Sequence, residues 1–310
     1  MNSKSHLKIS KLVQLIGISR SRYYDWIKRY SIPNKHNGKI PKEHWLTDNE
    51  RSAIIRKAKT HRSSDTFSLE DGYRRITYSG IDANDFACSA STVYRVLRGT
   101  GLLQRWKPKD KSKKGNGYKQ PTAIHQEWHT DIKYINFNGV FVFFIGVIDG
   151  YSRYILHHEV RMTMSEYDVQ IVIQRALEKH PNHNTNIITD NGGQFIAIDF
   201  KEFIKETTLE HIRISPGYPQ ANGKIERFHS TLEKECLKKT SMLSIDDIRK
   251  QIDGFIQHYN NKRLHSSLDY LTPNDVLEGR DKELLDIRKS KIKKAKGKRK
   301  AYWKQNSIAA

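Results

Sequence analysis

A mixed five-stranded α/β core with flanking helices, preceded by small all-helical modules, is the fold class this sequence predicts. Three observations predict it. Between positions 7 and 103, apolar residues recur at helical spacing in short runs broken by Gly, Pro and Ser. From Glu127 the pattern changes to three consecutive β-like runs rich in Ile, Val, Phe and Tyr. After Ser165, amphipathic helical stretches alternate with short strand-like ones.

Residues 1–35 read as a helix-turn-helix. Leu7, Leu12, Val13, Ile16, Ile18, Tyr23, Trp26 and Ile27 supply the apolar spacing of two short helices. Gly17 permits the turn between them and Ser19 can cap the second. That second helix is loaded with Arg20, Arg22, Lys28 and Arg29, the cations that a helix lying in a DNA major groove carries. A helical hairpin with a solvated basic face would look the same. The candidate DNA contacts here are Arg20, Arg22, Tyr23 and Lys28. Residues 33–41, PNKHNGKIP, are a linker by composition.

A second helical DNA-binding module spans 46–104. It opens with a helix from about Asp48 to Lys59, passes through GYRRITYSG, and closes with a helix over 89–103 that ends near Gly99 or Gly101. Ser91 is its expected cap, with Val93, Val96 and Leu97 inward and Tyr94, Arg95 and Arg98 outward. Tyr94 and Arg95 are its candidate DNA contacts. Residues 105–122 form a basic linker; over 105–119 it holds seven Lys/Arg and one Asp among Gly and Ser, which makes it flexible without DNA.

The main domain is expected over 123–240. WHTDIKYINF, VFVFFIGVID and RYILHHEV read as strands joined by NG at 138–139 and DGYS at 149–152, both hairpin-compatible turns. A helix over 165–179 follows, then the strand NIITD ending at Asp190, a helix near 198–206, the strand LEHIRIS and a helix from about Asn222. The order β-β-β-α-β-α-β-α is that of an RNase H-like fold. A helical extension occupies 241–279, with its helix over 244–260. Residues 280–310 form a basic tail; 287–304 contains ten Lys/Arg and no acid, a composition expected to be disordered in isolation and to add non-specific phosphate affinity.

Composition narrows the partner. Fifty-five Lys/Arg against 34 Asp/Glu give a net charge of +21, an excess that nucleic acid explains best. Only Cys88 and Cys236 are present, far apart, so a disulfide framework is not expected and a reducing cytoplasm is. The absence of any CxxC argues against a zinc module. The N-terminus is polar and basic, with no apolar leader run. The most apolar stretch, 139–148, is too short to cross a bilayer, so no membrane partner is expected.

Three carboxylates carry the chemistry. Asp131 lies mid-strand on the face it shares with His129, opposite Trp128, Thr130, Ile132 and Tyr134. A carboxylate on an inner strand is costly unless it is paired or metal-bound. Asp190 ends a strand before NGG, where the glycines let the backbone come close to a phosphate and Asn191 can hydrogen-bond it. Glu226 borders the apolar stripe Ile225, Phe228, Leu232 and Cys236 of a helix, so it can point into a cleft flanked by Lys224, Arg227 and Lys234 as phosphate contacts. Each acid alone reads as an ordinary surface or turn residue; together they suit two divalent ions at a phosphodiester, and hard oxygen ligands specify Mg²⁺ or Mn²⁺ over zinc.

With Asp131, TDNGG (189–193) and PGYPQANGKIERFHSTL (216–232), the chain resembles a D-D-E transposase with a retroviral-integrase-type core. It is most similar to the second-reading-frame protein of the insertion-sequence-three family. LIGISRSRYYDW, GYRRI with STVYRVLRGTGLL, and YNNKRLHSSLDYLTPNDVL (259–277) extend the resemblance over roughly 7–277. The resemblance implies that Asp131, Asp190 and Glu226 form a catalytic triad holding two Mg²⁺ or Mn²⁺ ions. It implies an enzyme, a polynucleotidyl transferase that nicks the terminal inverted repeats of its element and joins the freed 3′-ends to target DNA. A homo-oligomer in the bacterial cytoplasm, associated with the nucleoid, is the expected working form. A catalytically inactive domesticated DNA-binding protein and an RNase H-class nuclease are the rival readings. Relatives commonly carry Lys or Arg seven residues after the catalytic Glu; here that position is Glu233, with Lys234 one step on.

Overall fold

The computed structural model describes residues 8–30, 45–60, 72–103, 119–181, 183–214, 222–239 and 243–306. The linker expected over 33–41, residues 105–118 of the basic linker and the stretch 215–221 lie outside them. The chain forms two compact units, one of residues 1–45 with 297–310, the other of residues 46–296.

In the smaller unit, α1 (Ile9–Leu15) and α2 (Arg20–Arg29) are separated by the expected turn. Ser19 caps α2, its hydroxyl accepting from the Arg22 N–H at 3.2 Å. Val13 is buried, but Ile16, Trp26 and Ile27 are exposed. Two helices this short offer each other too little surface to cover them. In the same unit Trp303 donates its indole N–H to the Trp45 carbonyl at 2.9 Å, and Tyr302 meets the Trp303 ring edge-on.

The larger unit begins with α3 (Asp48–Thr60), α4 (Tyr73–Asp82) and α5 (Ala90–Gly99), closed around Ile54, Ile76, Phe86, Val93 and Leu97. The cap of α5 is Ser89 and not Ser91. Ser89 Oγ accepts from the Thr92 N–H, while Ser91 sits inside the first turn and hydrogen-bonds Ser89 at 2.9 Å. Either serine satisfies the sequence rule; the one three residues before the unpaired N–H takes the role.

Five strands follow: β1 (Glu127–Phe137), β2 (Val140–Asp149), β3 (Ile155–Arg161), β4 (Thr185–Thr189) and β5 (Leu209–Arg213). Their order is β3-β2-β1-β4-β5. The first three pair antiparallel, and β4 and β5 add parallel beside β1. This is the RNase H-like sheet that the element order predicted. Asn138 (φ 50°) and Gly139 (φ 86°) close the β1–β2 hairpin in a two-residue turn, opposing Phe137 to Val140.

Side-chain alternation splits the core into two layers. Trp128, Ile132, Ile145 and Val147 meet α6 (Glu166–Lys179) and α8 (Ile198–Lys205) on one face. Ile135, Val142, Phe144 and Ile148 meet α9 (Gly223–Leu232) and α10 (Ile245–Asn261) on the other. The sequence order missed one short helix, α7 (Gly193–Ile196), directly after Asp190-Asn-Gly. Past Leu232, α9 continues as a π-helical turn over Glu233–Leu237.

After α11 (Pro273–Leu277), the basic tail departs from expectation: residues Asp281–Asn306 form α12. Its charge does not keep it unfolded because its cations find partners in the helical module. Arg288 is only 5% exposed. Its guanidinium donates to the Asp82 carboxylate at 2.8 Å and to the carbonyls of Asp269 and Tyr270, and it lies over the Tyr78 ring. Lys291 donates to the Ile81 carbonyl at the C-terminus of α4, which also accepts from the Asn84 N–H, and its cation meets the negative end of the helix. Among the described residues, no helix is long and apolar enough to cross a membrane.

Candidate active site

Strand β1 and helix α9 lie side by side and meet in three paired steps. Lys224 Nζ stands 3.3 Å from His129 Nε2, His229 Nδ1 is 3.6 Å from Asp131 Oδ2, and Glu233 is 3.0 Å from Lys133 Nζ. The match is geometric. Residues two apart on a strand are ~6.6 Å apart, close to the rise of four to five residues of helix. The β1 face bearing His129, Asp131 and Lys133 is therefore turned onto α9, as alternation required.

Asp131 is held within this seam. Its Oδ1 accepts from the Ile132 N–H at 2.8 Å. Burial pushes its carboxyl up to about 7, and the charges of Asp190 and Glu226 push the same way. The three acids thus share one electrostatic neighbourhood. His229 beside Asp131 is driven down to about 3 by burial and by Lys133, so it is neutral and its approach is not an ion pair.

Asp190 follows β4, and its Oδ1 accepts from the Gly192 N–H at 2.9 Å. A Cβ on Gly192 would stand 2.7 Å from the Gln194 amide and 3.1 Å from Asp190 Oδ1, so a side chain here would have to displace both side chains. Asn191 donates its amide to the Ile214 carbonyl at 2.8 Å, tying the loop to the end of β5. Glu226 is exposed in the first turn of α9, one turn before His229. Among the described residues, no three acidic, His or Cys side chains stand close enough to enclose a single ion. The acids are coupled through space without being gathered into a shell.

The remaining expected contacts separate into groups. Arg20, Arg22 and Lys28 are exposed on α2, with Tyr23 half-buried against Tyr24. Tyr94 and Arg95 are exposed on α5, Tyr94 edge-on to Tyr73. Lys224 turns inward toward Glu127 at 3.5 Å and is brought down to about 8 by burial and by Arg153. Arg227 and Lys234 are exposed and line a cavity of about 540 Å³ together with Lys224, Arg75, Arg153 and Arg263.

Sequence reasoning missed Lys133, His229 and the last three of those arginines. Lys133 and His229 were findable, since they lie two residues after Asp131 on one strand face and three after Glu226 on one helix side. Arg75, Arg153 and Arg263 carried no such signal, because only the tertiary fold brings them together.

Two integrase core domain models match the chain, one over residues 121–219 and the other over 207–273. The chain is 26% identical over 216 residues to the transposase for insertion sequence element IS904 of Lactococcus lactis, covering 60% of this chain and 85% of that protein. It is 22% identical over 280 residues to the putative transposase InsK for IS150 of Escherichia coli, covering 86% and 92%. Among solved structures, the HTLV-2 integrase catalytic core domain in complex with magnesium aligns with a TM-score of 0.41 at 17% identity, covering 50% of this chain and 98% of that one.

Proposed function

We propose, for a chain that is an integrase-core transposase of the insertion-sequence-three family, that Asp131, Asp190 and Glu226 form its catalytic centre. The proposed reaction is nicking at the ends of an insertion sequence followed by transfer of the freed 3′-end into target DNA. The observation that carries this assignment is the electrostatic coupling of all three acids at Asp131.

The trio suits divalent cations. Its donors are hard carboxylate oxygens, and the Asp131 carboxyl is raised first by burial and then by the charges of Asp190 and Glu226, a penalty that a bound cation would relieve. Asp131 and Asp190 would hold the ions with Glu226 completing the set, and we favour two Mg²⁺ or Mn²⁺. Bound there, such ions activate an attacking oxygen and stabilise a leaving one. The chain's own residues prepare the geometry. The Ile132 N–H fixes Asp131, the Gly192 N–H fixes Asp190, and neutral His229 closes the seam without competing as a charge.

In the first step a water oxygen bonds to phosphorus as the P–O3′ bond breaks, leaving a 3′-hydroxyl on the element end. In the second, that 3′-oxygen bonds to a target phosphorus and displaces the target's own 3′-oxygen. No protein–DNA covalent bond forms. The helical modules over 1–35 and 46–104 would choose the sequence, with 123–240 as the catalytic core and the basic regions over 105–122 and 280–310 holding phosphates. Two ends must be held together, so the working form is a homo-oligomer on DNA, in the cytoplasm at the nucleoid.

The test uses end-labelled duplex carrying the element's terminal repeat, with Mg²⁺ or Mn²⁺. Nicked and joined products are expected, and a chelator should abolish both. Hydrolysis without joining under every condition would place the chain with nucleases instead.

A further inference from the structure

We propose that the cavity between α4, α9 and residues 259–267 is a phosphodiester pocket that seats one backbone phosphate of the bound DNA, apart from the phosphate that reacts. The inference rests on the transposase reading and deepens it.

The cavity, about 540 Å³, gathers Arg75, Arg153, Lys224, Arg227, Lys234 and Arg263 from four separate parts of the chain. Glu235 is the one carboxylate among its described lining residues, and Arg263 occupies both its oxygens at 2.7 Å. Charge of one sign is therefore concentrated in a concave site, where low-dielectric walls strengthen its field. Arg153, which lines this cavity and a neighbouring one, also holds a buried Nη1 with no hydrogen-bond partner among the described residues. Such a donor costs free energy until an acceptor arrives, and a phosphate oxygen is the acceptor a guanidinium fits best. His265 at the cavity wall is driven down to about 3, first by burial, with Arg263, Arg153, Arg75 and Arg227 pushing the same way.

Helix α9 explains why this is a second site. Arg227 and Lys234, seven residues apart, share one face, offset from the face of Glu226, His229 and Glu233, while Lys224 reaches the cavity wall from the seam with β1. One helix thus offers acid to the reacting phosphate and cations to another. Lys234 belongs to this pocket, while the Glu226 face receives its cation from Lys133 on β1. A free nucleotide fits less well than a DNA backbone, because the phenol ring at the wall, Tyr259, is buried and lies under Arg263 at 5.7 Å, so it offers no platform for a base.

A methylphosphonate scan tests this, neutralising one phosphate at a time in terminal-repeat duplex, with affinity measured in chelator so that no chemistry intervenes. One position should weaken the parent roughly tenfold. The double variant Arg227→Gln/Lys234→Gln, its fold checked by melting temperature, should weaken unmodified DNA to a similar degree and lose its response at that position. A scan with no sensitive position, or one unchanged in the variant, overturns the proposal. So does saturable binding of inorganic phosphate that both glutamines abolish while the scan stays silent, which would make this a free-phosphate site. Failure of the scan leaves nicking and joining untouched; failure of joining with an intact scan would fault the transposase reading instead.

Discussion

Asp131 shows what the fold asks of a single residue. Its carboxyl is raised from the ordinary 3.8 to about 7, first by burial and then by Asp190 and Glu226. The folded state therefore binds a proton that the unfolded chain has released, and stability declines as pH rises from about 4 to about 7. At ~1.36 kcal/mol per unit the full cost is on the order of 4 kcal/mol, approached at neutral pH. Asp131→Asn removes the charge while its side-chain oxygen can still accept from the Ile132 N–H. In chelator the variant should melt above the parent at pH 8, and the gap should close progressively toward pH 4. A gap that is constant with pH would mean that the charge is not the cause. Mg²⁺ should stabilise the parent and leave the variant unmoved.

At the scale of elements, the strands and the N-terminal cap were legible because their signals are local: alternation, an Asn-Gly turn, a serine before a helix. The β1 face of Asp131 followed from alternation alone. What sequence did not show depends on partners far along the chain. The tail over 287–304 reads as disordered by charge, yet Arg288 and Lys291 meet the C-terminal end of α4, more than 200 residues earlier. Likewise Glu233 looks like a lost cation until Lys133 appears opposite it. Arg288→Ala should leave the Asp269 and Tyr270 carbonyls and the Asp82 carboxylate without this donor. Asp82 is partly exposed, so the loss should be roughly 1–3 kcal/mol. Amide exchange in the first half of α12 should quicken accordingly; unchanged exchange would show that the helix is held by other contacts.

At the scale of the molecule, one sheet and one helix carry two of the three acids of the proposed site, and the surrounding positive charge suits DNA. The parallel pair β1–β4 places Asp131 on one strand and Asp190 just past the end of its neighbour, and α9, packed on one face of the sheet, carries Glu226. The three acids lie far apart in sequence; Asp131 and Glu226 stand on the strand and helix their local patterns predicted, while Asp190, expected to end its strand, lies one residue past β4. The cationic cavity was not legible in the sequence, for its arginines share no local pattern. The most direct measurement of the central claim is joining of labelled terminal-repeat ends to target DNA by the parent, Asp131→Asn, Asp190→Asn and Glu226→Gln, with DNA affinity measured in parallel. Each substitution should cut joining by at least ~100-fold while affinity is kept. Joining at the parental rate by any one of the three would contradict the assignment.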